Sequence, residues 1–281
     1  MAGMRIGINT DVLAGSAPIT DLARAVEAAG LESLFVTQRT HLPGSRLELR
    51  EDPFHRDDGD LFDPFLALAA AAAVTSRIRL GTGICQVPLY DPIMLAKQVV
   101  TVDHLSGGRF LFGVGPGWLE EEIRNHGLEP ALRWKAMRET LLALKQIWSS
   151  EEASFAGDVV HFDRVRLGPK PLQQPHPPIL IGRTGVSGPS MAVELGDGWF
   201  PIISDVVQLE SDLARLDRLC RESGRPPVPT TLALFDIDES FVERSYELGV
   251  SRCTFWWPPG SLQDGAALLG RLAALAKRYR A

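Results

Sequence analysis

Four short runs hold the residue types from which a binding or catalytic site can be built. Thr37-Gln38-Arg39-Thr40-His41 closes an apolar run that starts at Ser33. An imidazole such as that of His41 titrates near neutral pH and suits proton transfer or contact with a ligand. A hydrogen-bonded structural histidine is the other reading of the same residue. Thr82-Gly83-Ile84-Cys85 ends a second apolar run, and Gly113-Val114-Gly115-Pro116-Gly117-Trp118 ends a third. Glycine at such ends lets backbone amides approach a ligand closely. The spacing G-x-G-x-G is not the G-x-G-x-x-G of a dinucleotide fold. Glu120, Glu121 and Glu122 follow it, and acids at a helix start are accounted for by the helix dipole. The fourth run is Gly182-Arg183-Thr184-Gly185-Val186-Ser187-Gly188, which leads into a helical stretch. Small residues before a helix N-terminus point free amides at an anion, so this loop is a candidate phosphate cradle. Arg183 either adds a direct contact to that anion or points to solvent.

The other candidates are weaker. Trp256 and Trp257 are consecutive at the end of an apolar run, so alternation sends one inward and one outward. His104 and His161 read as structural, and His55 is a candidate substrate contact in a charged loop. There is no H-E-x-x-H, no Ser-His-Asp order and no paired-carboxylate signal. Cys85, Cys220 and Cys253 lie far apart without metal or disulfide spacing, so no metal site is expected and reduced thiols in a cytoplasm are.

Something must bring these dispersed runs to one place. Eight strand candidates, at 5–9, 33–38, 79–86, 109–115, 178–182, 198–203, 230–235 and 252–257, alternate with helical stretches such as 21–30, 132–148, 207–224 and 261–280. Residues 79–115 read as strand, helix, strand, a βαβ unit of a parallel sheet. Alternation repeated this often predicts an α/β fold, a (β/α)8 TIM barrel with insertion loops, as one domain over 1–281. Sites in such barrels lie at the C-terminal ends of the strands, where the four runs sit. Two segments break the rhythm. Residues 39–62 form a long charged loop, read as a lid, and 150–177 hold a hairpin and a proline-rich linker.

The 281 residues suit one large barrel domain and can bury a full core. Net charge is −6, spread along the chain, which does not suit a nucleic-acid partner. The alanine-rich tract at 65–74 is too short to span a membrane. The N-terminal MAGMRIGINT lacks signal-peptide features, so a cytoplasmic protein is expected.

LGTGI, P-x-x-L-A-K-Q, D-x-L-S-G-G-R-F, G-V-G-x-G-W, PKPLQQPHPPILIG and GDGWFP occur in that order. The chain thereby resembles the luciferase-like monooxygenase superfamily over nearly its whole length. Within it, the resemblance is to the branch that uses the deazaflavin coenzyme F420. It implies a luciferase-type TIM barrel and hydride transfer between coenzyme F420 and a small-molecule substrate. The alternatives are an FMN-dependent two-component monooxygenase and a cofactor-free binding protein on the same barrel. It also implies a homodimer packed through early-barrel helices. Carried over by position, a cis peptide between Gly83 and Ile84 would back the ring, with Thr82 beside it. Gly115, Gly117 and Trp118 would flank the cofactor, and Gly182, Arg183, Thr184 and Gly185 would hold its phosphate. Relatives often carry an acid–histidine pair where this chain has Gln38 and Arg39, so the resemblance places these two at the cofactor; His41 matches a second histidine of some relatives and is the proton-transfer candidate. Some relatives have a catalytic glutamate where Trp118 stands.

Overall fold

The structure is a computed structural model that describes residues 3–51 and 59–279. Strands β1 (Arg5–Thr10), β2 (Ser33–Val36), β3 (Arg79–Thr82), β4 (Cys85–Gln86), β5 (Phe110–Gly115), β8 (Ile179–Ile181), β9 (Gly198–Trp199), β10 (Thr231–Leu234) and β11 (Arg252–Trp257) run parallel in one sheet. Their order is β10-β11-β1-β2-β3-β5-β8-β9, with β4 also paired to β5. Bridges from Trp199 to Thr230 and from Ile202 to Ala233 join the two outer strands and close the cylinder. The expected (β/α)8 barrel is therefore present. Strands β6 (Ala153–Ala156) and β7 (His161–Val165) make the separate antiparallel hairpin expected within 150–177.

Helices α1 (Ile19–Ala28), α2 (Pro64–Ala73), α3 (Pro92–Leu105), α4 (Glu120–Asn125), α5 (Arg133–Ser149), α6 (Gly188–Leu195), α7 (Val206–Glu222), α8 (Glu239–Glu247) and α9 (Ala266–Tyr279) alternate with the strands. Several starts are written locally. Asp63-Pro64 and Asp91-Pro92 each place a capping carboxylate before a proline in the first turn, and the carboxylates accept from Leu66 N at 2.9 Å and Met94 N at 2.8 Å. Asp205 and Asp238 cap α7 and α8 in the same way.

Three boundaries differ from expectation. The run at 79–86 is split into β3 and β4. The run at 198–203 keeps a continuous ladder only at Gly198–Trp199, because Pro201 has no N–H to donate; pairing resumes as the single Ile202–Ala233 bridge, where the Pro201 carbonyl accepts from Ala233 N at 3.0 Å. The last helix starts at Ala266 rather than 261, because the Asp264 carboxylate accepts from Ser261 N and Oγ, both at 2.8 Å, and closes a turn there. Within 39–62, Gly44–Glu51 forms a 3₁₀ helix, and His55 lies outside the described residues.

Most of the core lies between barrel and helices. A second, smaller cluster of Phe35, Leu111, Leu180 and Phe200 fills the barrel itself, with the Phe35 and Phe200 rings 4.9 Å apart. It plugs the cylinder below the mouth and gives the site a floor. Beside it, β5 approaches β3 so closely that a Cβ on Gly113 would lie 2.0 Å from the Thr82 carbonyl oxygen. That oxygen is backbone and cannot swing away. Gly113→Ala is expected to destabilise the protein by about 1–3 kcal/mol, read as a lowered urea midpoint with an unchanged m-value.

Candidate active site

The mouth of the barrel is shaped by an interruption of its third stave. Gly81 pairs with Leu111 and Cys85 with Val114, so Thr82, Gly83 and Ile84 stand opposite only Phe112 and Gly113. One surplus residue makes a bulge. The peptide between Gly83 and Ile84 within it is cis. The bulge is supported on several sides. Thr82 Oγ1 donates to Gly113 O at 2.6 Å, and Asn9 Oδ1 lies 2.7 Å from where a Gly83 Cβ would be. Cβ atoms on Gly115 and Gly182 would each lie 2.6 Å from the Ile84 side chain. The two glycines thus make the slot in which Ile84 sits.

Above the bulge lies a cavity of about 530 Å³, within the range of about 300–1,000 Å³ usual for small-molecule and cofactor sites. Gly83, Ile84, Gln86, Pro116, Gly117 and Trp118 line its β3–β5 side. Gly182, Arg183, Thr184 and Ile202 line the β8–β9 side, with Arg133 and Trp134 from the start of α5. Asp11, Thr37, Phe235 and Trp256 face them from the β10–β11–β1–β2 side, and Gln38, Arg39 and Leu61 complete the wall.

Positive charge collects on one flank. The Arg183 guanidinium stacks 3.8 Å over the Trp134 ring and donates to Ser187 Oγ. Burial, reinforced by the charge of Arg133, holds Arg183 below the usual guanidinium range. Exposed Glu120 lies 3.9 Å from Arg133 Nη1 and balances the pair only in part, so the two like charges still favour a further anion beside them. The loop beneath is fixed: Trp199 Nε1 donates to Arg183 O at 2.8 Å, and Thr184 Oγ1 bonds Ile202 O and N at 3.0 and 3.1 Å. At the rim, Arg39 reaches Glu122 with Nη1–Oε2 at 2.6 Å and lies 5.1 Å over the Trp118 ring. The other Glu122 oxygen accepts from Thr40 N and Oγ1, both at 2.8 Å.

Of the expected site residues, Gln38, Arg39, Gly83, Ile84, Gly117, Trp118, Gly182, Arg183 and Thr184 line the cavity. Thr82 and Gly115 lie behind the lining, because one braces the bulge and the other seats Ile84. Gly185, at φ +88°, turns the loop and is not in the wall. His41 is also absent from the wall. Its Nδ1 meets Thr40 Oγ1 at 2.9 Å, and its Nε2 meets Asn125 Nδ2 at 2.8 Å, so both ring nitrogens are engaged outside the cavity. The helix-dipole account of Glu122 is incomplete: the residue is fully buried and holds Arg39 and Thr40. The tryptophans divide as alternation requires, with Trp256 in the wall and Trp257 packed under Gly265.

Sequence reading missed Asp11, Gln86, Arg133, Trp134, Ile202 and Phe235. Asp11, Gln86 and Phe235 follow or end strands, and the strand-end rule applied to every stave would have found them. Arg133 and Trp134 begin a long amphipathic helix and give no local sign of facing a site.

The luciferase-like monooxygenase family profile matches residues 5–236. The chain belongs to that family. It is 37% identical over 264 residues to an uncharacterised protein of Mycobacterium tuberculosis, covering 90% of this chain and 91% of that one. An F420-dependent hydroxymycolic acid dehydrogenase of the same organism is 28% identical over 216 residues, covering 75% of this chain and 55% of the relative. The oxygenating constituent of 3,6-diketocamphane monooxygenase of Pseudomonas putida, in complex with FMN, superposes with a TM-score of 0.79 at 15% identity, covering 99% and 98% of the two chains. The chain is thus an enzyme of a family of oxidoreductases and monooxygenases that has both F420-dependent and FMN-dependent members.

Glu122 joins the β2 end to α4 beneath this rim. Breaking a buried ion pair by removing one partner costs about 3–5 kcal/mol. Glu122→Ala is expected to lower stability by that order in urea unfolding at neutral pH, while Glu121→Ala on the same helix leaves it nearly unchanged.

Proposed function

We propose that this enzyme transfers a hydride between coenzyme F420 and a small organic substrate in the cavity at the barrel mouth. The observation that carries the reading is the cavity itself: an open slot beside the cis Gly83–Ile84 bulge, with an arginine pair on one flank. The residues fit a tricyclic ring with an anionic tail. Gly83 and Ile84 offer a shelf at the bulge, and buried Gln38 Nε2 and Gln86 Oε1 have no hydrogen-bond partner among the described residues. Arg183 and Arg133 would hold the tail, with Thr184 fixed beside them. The F420-dependent relative supports deazaflavin as the first choice; the FMN-bound fold neighbour keeps FMN as the second.

When bound, the coenzyme supplies a ring carbon that accepts or releases hydride, and the protein supplies position and electrostatics. Ile202, Phe235 and Trp256 would wall the substrate and exclude water. Asp11, which accepts from Thr37 Oγ1, is the one carboxylate among the described residues of the wall, and it would hold the proton exchanged at a substrate oxygen. A cytoplasmic homodimer belongs to the same reading. The three cysteines are free and buried, and no helix among the described residues is long and apolar enough to cross a membrane. Exposed Leu66 and Met94 on adjoining α2 and α3 offer apolar surface for a second copy.

Fluorescence titration with F420 and with FMN is expected to give micromolar binding of F420. Micromolar binding of FMN alone refutes the F420 reading in favour of the flavin monooxygenase. Arg183→Ala is expected to weaken the phosphorylated coenzyme by about tenfold or more while changing its phosphate-free form by less than about twofold.

A further inference from the structure

Gln38 and Gln86 are held against each other across the bulge. Gln86 N donates to Gln38 Oε1 at 2.6 Å, and Gln86 Nε2 donates to Gln38 O at 3.1 Å. These two bonds fix both amide orientations, since flipping either would set oxygen against oxygen or N–H against N–H. What remains is one donor group, Gln38 Nε2, and one acceptor, Gln86 Oε1. Both are buried and, among the described residues, both lack a partner. The side chains are 7% and 3% exposed, yet both line the cavity next to Gly83 and Ile84. Gly117, at φ +78°, passes over the acceptor so closely that a Cβ would lie 2.6 Å from Oε1. Unsatisfied buried polar groups are rare in native proteins, and each costs about 1–3 kcal/mol. Here two of opposite polarity stand on one bonded pair in the wall of a binding cavity.

We propose that Gln38 and Gln86 together read a cyclic imide edge, a ring carbonyl beside a ring N–H, with Gln38 Nε2 donating to the carbonyl and Gln86 Oε1 accepting from the N–H. This inference rests on the reading of the cavity as a redox-ring site. The pyrimidinedione edge shared by flavins and deazaflavins has this donor–acceptor pattern. The pair would therefore read the ring's pyrimidinedione edge and not discriminate between the two coenzymes, which leaves that choice to other parts of the cavity.

The test uses the full chain and four probes, F420, FMN and the N3-methyl derivative of each, with affinities from fluorescence titration. The wild-type protein should bind F420 or FMN and should bind the N3-methylated form of the ring it takes about tenfold or more weakly than the parent, the loss expected for an acceptor left unpaired. Gln86→Met should bring that ring and its N3-methyl derivative to within about twofold of each other. Gln38→Met should weaken both rings alike. Equal wild-type affinity for the methylated and parent rings overturns the proposal alone, and needs no variant to fold. A Gln86→Met variant that keeps the full discrimination also overturns it. Failure of both F420 and FMN to bind removes the redox-ring reading, and this inference with it.

Discussion

The close approach of β5 to β3 at Gly113 sets the geometry of the whole site. With no side chain there, Thr82 can bond the Gly113 carbonyl, and the third stave must then bulge before it can pair again at Cys85. The surplus residue lifts Gly83–Ile84 into the mouth. Ile84 then needs a slot, which Gly115 and Gly182 provide by lacking side chains. Four glycines from three strands thus shape one shelf, and the cluster of Phe35, Leu111, Leu180 and Phe200 supports it from below.

Electrostatics divide the cavity above that shelf. Arg133 and Arg183 lie together on the β8–β9 side, where the stacked indole of Trp134 covers one guanidinium face without neutralising it. Arg133 meets exposed Glu120 at 3.9 Å, whereas Arg39 is held at 2.6 Å by fully buried Glu122, which ties it to α4. The first pair is suited to an external anion. The second fixes the rim. The opposite wall, Phe235 and Trp256 with ring centroids 5.6 Å apart, is aromatic, with Asp11 and Thr37 as its polar members. A ligand with an anionic tail and a flat body matches both flanks.

Much of the fold was legible because its causes are local. Apolar runs of strand length, helices stopped by glycine and Asp-Pro starts recur along the chain, and each is decided within a few residues. The same locality located the glycine-rich strand ends and the loop at Gly182. It failed where a role depends on a distant partner. Gly115 reads as a ligand-facing glycine until Ile84 is seen beside it. Glu122 reads as a dipole acid until Arg39, 83 positions away, is found against it. His41 reads as a side chain facing the site until Asn125 and Thr40 are found against its two nitrogens, outside the cavity.

By itself, then, the amino-acid order determined the parallel barrel, its family and the glycine-rich strand ends around the cavity at its mouth. Those follow from short-range periodicity, capping and glycine placement. Only the tertiary structure decided which residues face the cavity and with what free groups. Gln38 and Gln86, separated by 48 positions, become one donor–acceptor pair because β4 returns to the barrel beyond the bulge. Facing direction after a bulge, and the partner across a strand, depend on the register of the closed sheet, which no local stretch of sequence specifies.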